Sequence, residues 1–272
     1  MRIARYILPH PYKGVSREEY LSDPAYMPEI RWGIVEGKVV RDLREPPFGG
    51  IDPGNSVHPI SDVKFCAPVV PSKVVAVGFN YRGHIEEMGH KIPHEPLLFL
   101  KAPSSIIGPG EAVRLPGISR HVDYEGELAV VIGSRCRKLQ KEDVPDAVLG
   151  YTILNDVTAR DLQSRDGQFA RSKSFDTFCP LGPWVETDLD PLSLQITTVV
   201  NSDLRQEANT STMIFDPHFI VSYVSTFMTL EPGDVIATGT PAGVGKLSPG
   251  DEVSVAVEGI GVLTNPVEEG SS

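Results

Sequence analysis

Short apolar runs closed by Gly, Pro, Asn or Asp recur along this chain, and that spacing predicts many strands and few helices. One such run spans 74–78, and LLFL (97–100), ELAVVIG (127–133), GYTILND (150–156) and ITTVVN (196–201) follow it. The late stretches DVIATG and DEVSVAVEG continue the pattern. Nearer the start, WGIVEGKVVRDL (32–43) reads as two strands around a turn at Glu36-Gly37, an antiparallel hairpin. Helical spacing of apolar residues is found over 81–88, 157–163 and 219–227.

The punctuation supports this reading, because 24 prolines and 25 glycines spread along the chain break helices and favour strands joined by turns. A loop rich in Pro, Gly and Asn at 46–59 leads into FCAPVVPSKVVAVGFNY, which places a boundary near residue 63. The expected organisation is a small N-terminal domain over 1–63, holding the hairpin, and a catalytic body over 64–272. Residues 9–27, with the charged stretch SREEYLSDP, read as an extended loop or one helical turn ahead of the hairpin. The fold class is mixed α/β and strand-rich.

Composition narrows the partners. Apolar content of 40% over 272 residues is that of a globular chain with a sizeable core. A formal net charge of −11 argues against nucleic acid and anionic membranes. Cys66, Cys136 and Cys179 stand apart, with no CxxC pair for a zinc knuckle or disulfide framework, which fits a reducing cytoplasm. The opening MRIARYILPHP holds too short an apolar stretch for a signal-peptide core, and no run is long enough to span a bilayer.

Candidate chemistry centres on HVDYEGELAVVIG. Alternation along a strand puts Glu125 and Glu127 on one face with Ala129 and Val131, which look buried. Two anions pointing inward require protonation, basic neighbours or a cation. Gly126 between them leaves room for close packing on the opposite face. Asp156 ends the strand YTILND, where sites are usually assembled. Three carboxylates with no Cys or His beside them suit Mg²⁺ or Mn²⁺. Taken alone, an ExE spacing is more often a pair of surface ion pairs, and Asp156 is as readily a helix N-cap.

In GFNYRGHIEEMGHKIPHEP, His84 and Glu87 stand three apart, so on a helical turn the carboxylate can orient the imidazole as a general base. Gly83, Gly89, Pro93 and Pro96 bracket the segment, which reads as a lid or as a plain surface loop. Lys101 and Lys173 are candidates to meet a substrate carboxylate, although most such lysines are surface charges. The run ATGTPAGVG (237–245) offers amides and hydroxyls to a carboxylate or enolate oxygen but lacks the Lys-Ser/Thr ending of a P-loop.

Read in order, GFNYRGHIEEMG, EPLLFLKAPSS, DYEGELAVVIG, GYTILNDVTARDLQ, SKSFDTFCPLGPW and IATGTPAGVG resemble the fumarylacetoacetate hydrolase family over about residues 70 to 265. The resemblance implies a β-roll or β-sandwich catalytic domain, a homodimer, and one Mg²⁺ or Mn²⁺ on Glu125, Glu127 and Asp156. It further implies His84 and Glu87 as the water-activating pair, Lys173 and Gln163 as catalytic residues, and Thr240 as substrate-binding. Tyr81, Lys101 and Gly239 complete the expected substrate-binding set.

The expected reaction is metal-dependent hydrolysis of a carbon–carbon bond in a small β-diketo or 2-oxo acid, such as an acylpyruvate or fumarylacetoacetate-like substrate. His84, backed by Glu87, activates water, and the departing enolate is held by the metal, Lys173 and Thr240. The same enolate opens two alternatives, a 2-hydroxyhepta-2,4-diene-1,7-dioate type isomerase and an oxaloacetate decarboxylase. A metal-stabilised binding protein is the non-enzymatic alternative. Residues 9–27, additional to the usual hairpin, are the expected departure from the family pattern.

Overall fold

In the computed structural model, which describes residues 1–8, 29–87 and 89–270, the strand Gly126–Ile132 is buried along its whole length. It pairs antiparallel with Val148–Asn155 on one side and with Val235–Ala237 on the other. From there a 12-stranded sheet extends both ways. One wing runs through Cys179–Glu186, Arg2–Ile7, Arg31–Glu36 and Val39–Leu43 to Pro53–Pro59, and the other through Val74–Gly78 to Leu97–Lys101. Lys64–Cys66 and Ile106–Ile107 pair off this path.

A sheet this wide accumulates twist and buries both faces. Leu128, Val130 and Ile132 face a core shared with Ile196, Val255 and Leu263, and with Ile220, Val221 and Val224 of the helix Pro217–Phe227. Ala129 and Val131 face the opposite core, against Val74, Ala76, Leu181 and Val235. The first core is closed by a five-stranded sheet ordered Asp203–Asn209, Gln195–Val200, Glu252–Val257, Gly261–Glu269, Val113–Leu115. Thr158–Ala159, Val122–Tyr124 and Gly245–Lys246 form a third, small sheet. The protein is therefore strand-rich mixed α/β with few short helices, as its periodicity predicts.

Local differences have local causes. The hairpin turns at Gly37, in the left-handed region with φ 61°, between Arg31–Glu36 and Val39–Leu43. Part of the expected loop at 46–59 is instead the strand Pro53–Pro59, which tolerates its prolines because it lies at the sheet edge. The helix expected at 157–163 starts later, as Arg160–Asp166, because Thr158–Ala159 pairs with Val122–Tyr124 first; it ends at Gly167, φ 66°. The helix expected at 219–227 begins at Pro217, where the Asp216 carboxylate accepts from the Phe219 amide. The N-terminal hairpin joins the main sheet through Arg2–Ile7. The segment expected at 9–27 lies outside the described residues. Among the described residues, no helix is long and apolar enough to cross a membrane.

At Gly126 the two layers come close: a Cβ there would lie 2.2 Å from Thr198 Oγ1 and 2.9 Å from Val255 Cγ1. Gly126→Ala is expected to lower unfolding free energy by about 1–3 kcal/mol, the usual penalty of overpacking, in urea titrations. A midpoint equal to wild type would show that the layers can separate freely at this point.

Candidate active site

The acidic trio is a product of strand register. Gly126 is paired with Asn155, so Glu125 and Asp156 flank one end of the same ladder, and the Asp156 amide donates to the Glu125 carbonyl at 2.8 Å. Glu127 points to the face that carries Ala129 and Val131. Carboxylate oxygens of Glu125, Glu127 and Asp156 all lie within 4.8 Å of one another, at exposures of 5%, 1% and 0%.

Three cations surround them. Lys173 Nζ donates to Glu125 Oε2 at 2.8 Å and to Asp156 Oδ2 at 2.6 Å. Lys101 Nζ donates to Asp156 Oδ1 at 2.5 Å and to the Val157 carbonyl. Arg160 spreads its three nitrogens over Asp123 (2.8 Å), Glu125 Oε1 (2.5 Å) and Gln163 Oε1 (2.8 Å). Burial would raise the Glu125 pKa, but Lys173 and Arg160 outweigh it and hold this carboxyl well below the usual range. Burial likewise disfavours the Lys173 ammonium, and the charges of Asp156 and Glu125 reverse that, raising its pKa.

Glu127 is different. Its Oε2 accepts from the Gly239 amide at 2.7 Å, yet burial and the nearby charges of Asp156 and Glu125 push its pKa well above the ordinary value. The cations present thus leave one acid uncompensated. A third buried oxygen donor whose ionisation needs more positive charge nearby fits a hard divalent cation. The buried Tyr81 hydroxyl has no hydrogen-bond partner, and burial plus the Glu127 charge raise its pKa. It is a spare donor at the edge of the acidic cluster.

A cavity of about 270 Å³ opens beside the trio, lined by His84, Glu125, Arg160, Gln163, Lys173 and Thr240 among polar residues. Phe79, Phe99 and Phe169 supply apolar wall. His84 lies on the helix Arg82–Glu87, with Nδ1 3.3 Å from Glu87 Oε2. The Gly243 amide donates to both Glu87 oxygens at 3.2–3.3 Å, so the loop 237–245 does hold carboxylates, those of Glu87 and Glu127.

Most of the expected site residues meet around this cavity and the acidic trio. Lys101 Nζ is engaged by Asp156 and the Val157 carbonyl and the Gly239 amide by Glu127, and Lys101, Tyr81 and Gly239 lie outside the cavity lining. Sequence reading passed over Arg160, though it stands in the quoted TARDLQ run. It also missed Phe79, held at φ 57° with its ring 4.6 Å from that of His90 and stacked on His84.

The chain belongs to the fumarylacetoacetate hydrolase family: residues 73–268 match the Fumarylacetoacetate (FAA) hydrolase C-terminal family, and residues 26–68 match the Rv2993c-like, N-terminal family. The chain is 44% identical over 229 residues to oxaloacetate tautomerase YisK of Bacillus subtilis, covering 79% of this chain and 76% of that one. The structure of 2-hydroxyhepta-2,4-diene-1,7-dioate isomerase from Mycobacterium marinum superposes with a TM-score of 0.87, at 42% identity and full coverage of both chains. Maleylpyruvate hydrolase from Sphingobium sp. SYK-6, solved with manganese(II) and pyruvate, superposes at 0.76 with 31% identity, again over 100% of each chain.

Because the Glu127 carboxyl keeps its proton at pH values where an unfolded glutamate has lost it, its contribution to stability is complete at acid pH. That contribution disappears as pH rises through the raised pKa. Calorimetric titration of Mg²⁺ or Mn²⁺ in buffers of different ionisation enthalpy should therefore show release of about one proton per ion. Glu127→Gln should abolish that release and weaken the ion by more than the ~100-fold typical of losing a supporting partner. The same change should raise the melting temperature of metal-free protein at neutral pH. Unchanged proton release in this variant would refute the assignment.

Proposed function

We propose that the protein is a divalent-metal enzyme, using Mg²⁺ or Mn²⁺, that shifts a proton between carbon and oxygen of a small 2-oxo dicarboxylic acid, as a tautomerase or isomerase. The observation that carries this reading is the His84–Glu87 pair facing a buried acidic trio across a cavity of small-molecule size. The similarity to a named tautomerase and a named isomerase, at 44% and 42% identity, supports it.

A divalent ion held by Glu125, Glu127 and Asp156 supplies the Lewis acidity that makes the carbon next to a 2-oxo group easier to deprotonate. The protein does the rest. Glu87 takes Nδ1 of His84, which leaves Nε2 as the nitrogen that removes the carbon-bound proton and returns it to oxygen, or the reverse. The Gly243 amide keeps Glu87 in place for this. Lys173 holds Glu125 and Asp156 in register, and Lys101 anchors the far oxygen of Asp156. Arg160 and Gln163 offer donors to a second carboxylate, and the phenylalanine walls limit water.

A second reading, hydrolysis of an acylpyruvate-type carbon–carbon bond, draws on the same histidine. There His84 would take its proton from water, and the hydroxide would add to the distal carbonyl before the carbon–carbon bond breaks. Similarity to the Sphingobium hydrolase favours it, at a lower identity of 31%.

Loss of the enol ultraviolet band should be followed with oxaloacetate, hydroxyheptadienedioate and acylpyruvates, with and without Mg²⁺ or Mn²⁺. His84→Ala is expected to lower kcat about 10²–10⁴-fold, the range for losing a general base, with a small change in KM. Full activity in this variant would remove the proton-transfer role. Release of pyruvate from acylpyruvates would move hydrolysis to first place, and no turnover of any substrate would favour a binding protein.

A further inference from the structure

Gln206 is 1% exposed on Asp203–Asn209, an edge strand of the five-stranded sheet whose other residues are exposed or half-buried. A buried amide on such a strand needs partners, and it has them across the gap to the main sheet. Oε1 accepts from the Gly126 amide at 3.0 Å, while Nε2 donates to Thr240 Oγ1 and to the Pro241 carbonyl, both at 2.8 Å. The orientation of this amide is unambiguous. Turned over, it would set NH₂ against the Gly126 N–H and oxygen against the Pro241 carbonyl.

The same accounting fixes Thr240. Its Oγ1 lies 3.0 Å from the Gly126 carbonyl, which can only accept, so the hydroxyl proton is committed there. One lone pair receives the Gln206 hydrogen, and the remaining valence is a lone pair. The loop that carries Thr240 is seated on this edge strand: a Cβ at Gly243 would lie 2.1 Å from the Arg205 carbonyl.

We propose that Gln206 is a positioning residue that, together with the Gly126 carbonyl, holds the Thr240 hydroxyl as an acceptor toward the cavity it lines, so that the site selects a ligand presenting an O–H there, such as the enol of a 2-oxo acid. The inference rests on the oxo-acid reading above and changes the part Thr240 plays in it. Thr240 receives a hydrogen bond from the enol form and does not donate one to an enolate.

Glycolate and oxalate test this, since each offers two chelating oxygens and only glycolate keeps an O–H at neutral pH. Both are titrated calorimetrically into Mg²⁺-loaded wild type, Thr240→Val, Thr240→Ser and Gln206→Met. Thr240→Val should weaken glycolate about three- to tenfold, one hydrogen bond's worth, and oxalate less than about twofold. Thr240→Ser should restore the glycolate preference. Gln206→Met, which removes the anchor on the Thr240 side chain and on the Pro241 carbonyl, should reduce that preference by a similar factor. Oxalate weakened as much as glycolate in Thr240→Val overturns the inference alone. Failure of both ligands to bind wild type overturns the oxo-acid reading and the inference with it.

Discussion

Three carboxylates forced together in a dry interior are the constraint that the surrounding structure answers. Strand pairing delivers Glu125 and Asp156 to one ladder end and Glu127 to the same face, where water cannot screen them. Lys101, Lys173 and Arg160 neutralise part of this charge, and each is held by at least two acceptors. Glu127 is the carboxyl these cations do not reach, and burial beside Asp156 and Glu125 raises its pKa so that it holds its proton. The donor set of the cluster, three buried carboxylates within 4.8 Å of one another, fits a hard divalent cation.

The loop 237–245 is the second answer to the same constraint. One of its amides is given to Glu127 and another to Glu87, so a single loop couples the acidic cluster to the imidazole opposite. Its glycines permit this: Gly239 and Gly243 both sit at φ 96°, and both approach neighbouring atoms too closely for a side chain. Behind the loop, Gln206 ties the outer sheet to Gly126 and Thr240 together. The site is thus held by hydrogen bonds whose directions are fixed by backbone groups.

What could be read from the sequence was whatever local periodicity encodes. Period-two alternation placed Glu127 with Ala129 and Val131, the strand end exposed Asp156, and the HxxE spacing paired His84 with Glu87. The contacts that escaped are long-range or run against local pattern. Glu87 meets Gly243 across 156 residues of chain, and nothing near either predicts it. Gln206 stands in DLRQEAN, which reads as a solvated strand because its partners belong to another sheet. Lys101 was visible as a charge closing an apolar strand, but only the fold shows that Asp156 lies against it.

The antiparallel ladder of Gly126–Ile132 and Val148–Asn155 also sets an order of assembly. It closes a short stretch of chain, whereas Lys101, at the end of Leu97–Lys101, precedes it and the Gly239 amide, in the loop after Val235–Ala237, follows it, the latter strand pairing parallel with Val74–Gly78. Loop-closure entropy favours the nearer pairing. The growing chain thus gathers its acids with Lys101 already made and with Lys173 only 17 residues beyond Asp156, so charge is met by charge early, while the Gly239 amide, 112 residues from Glu127, arrives last.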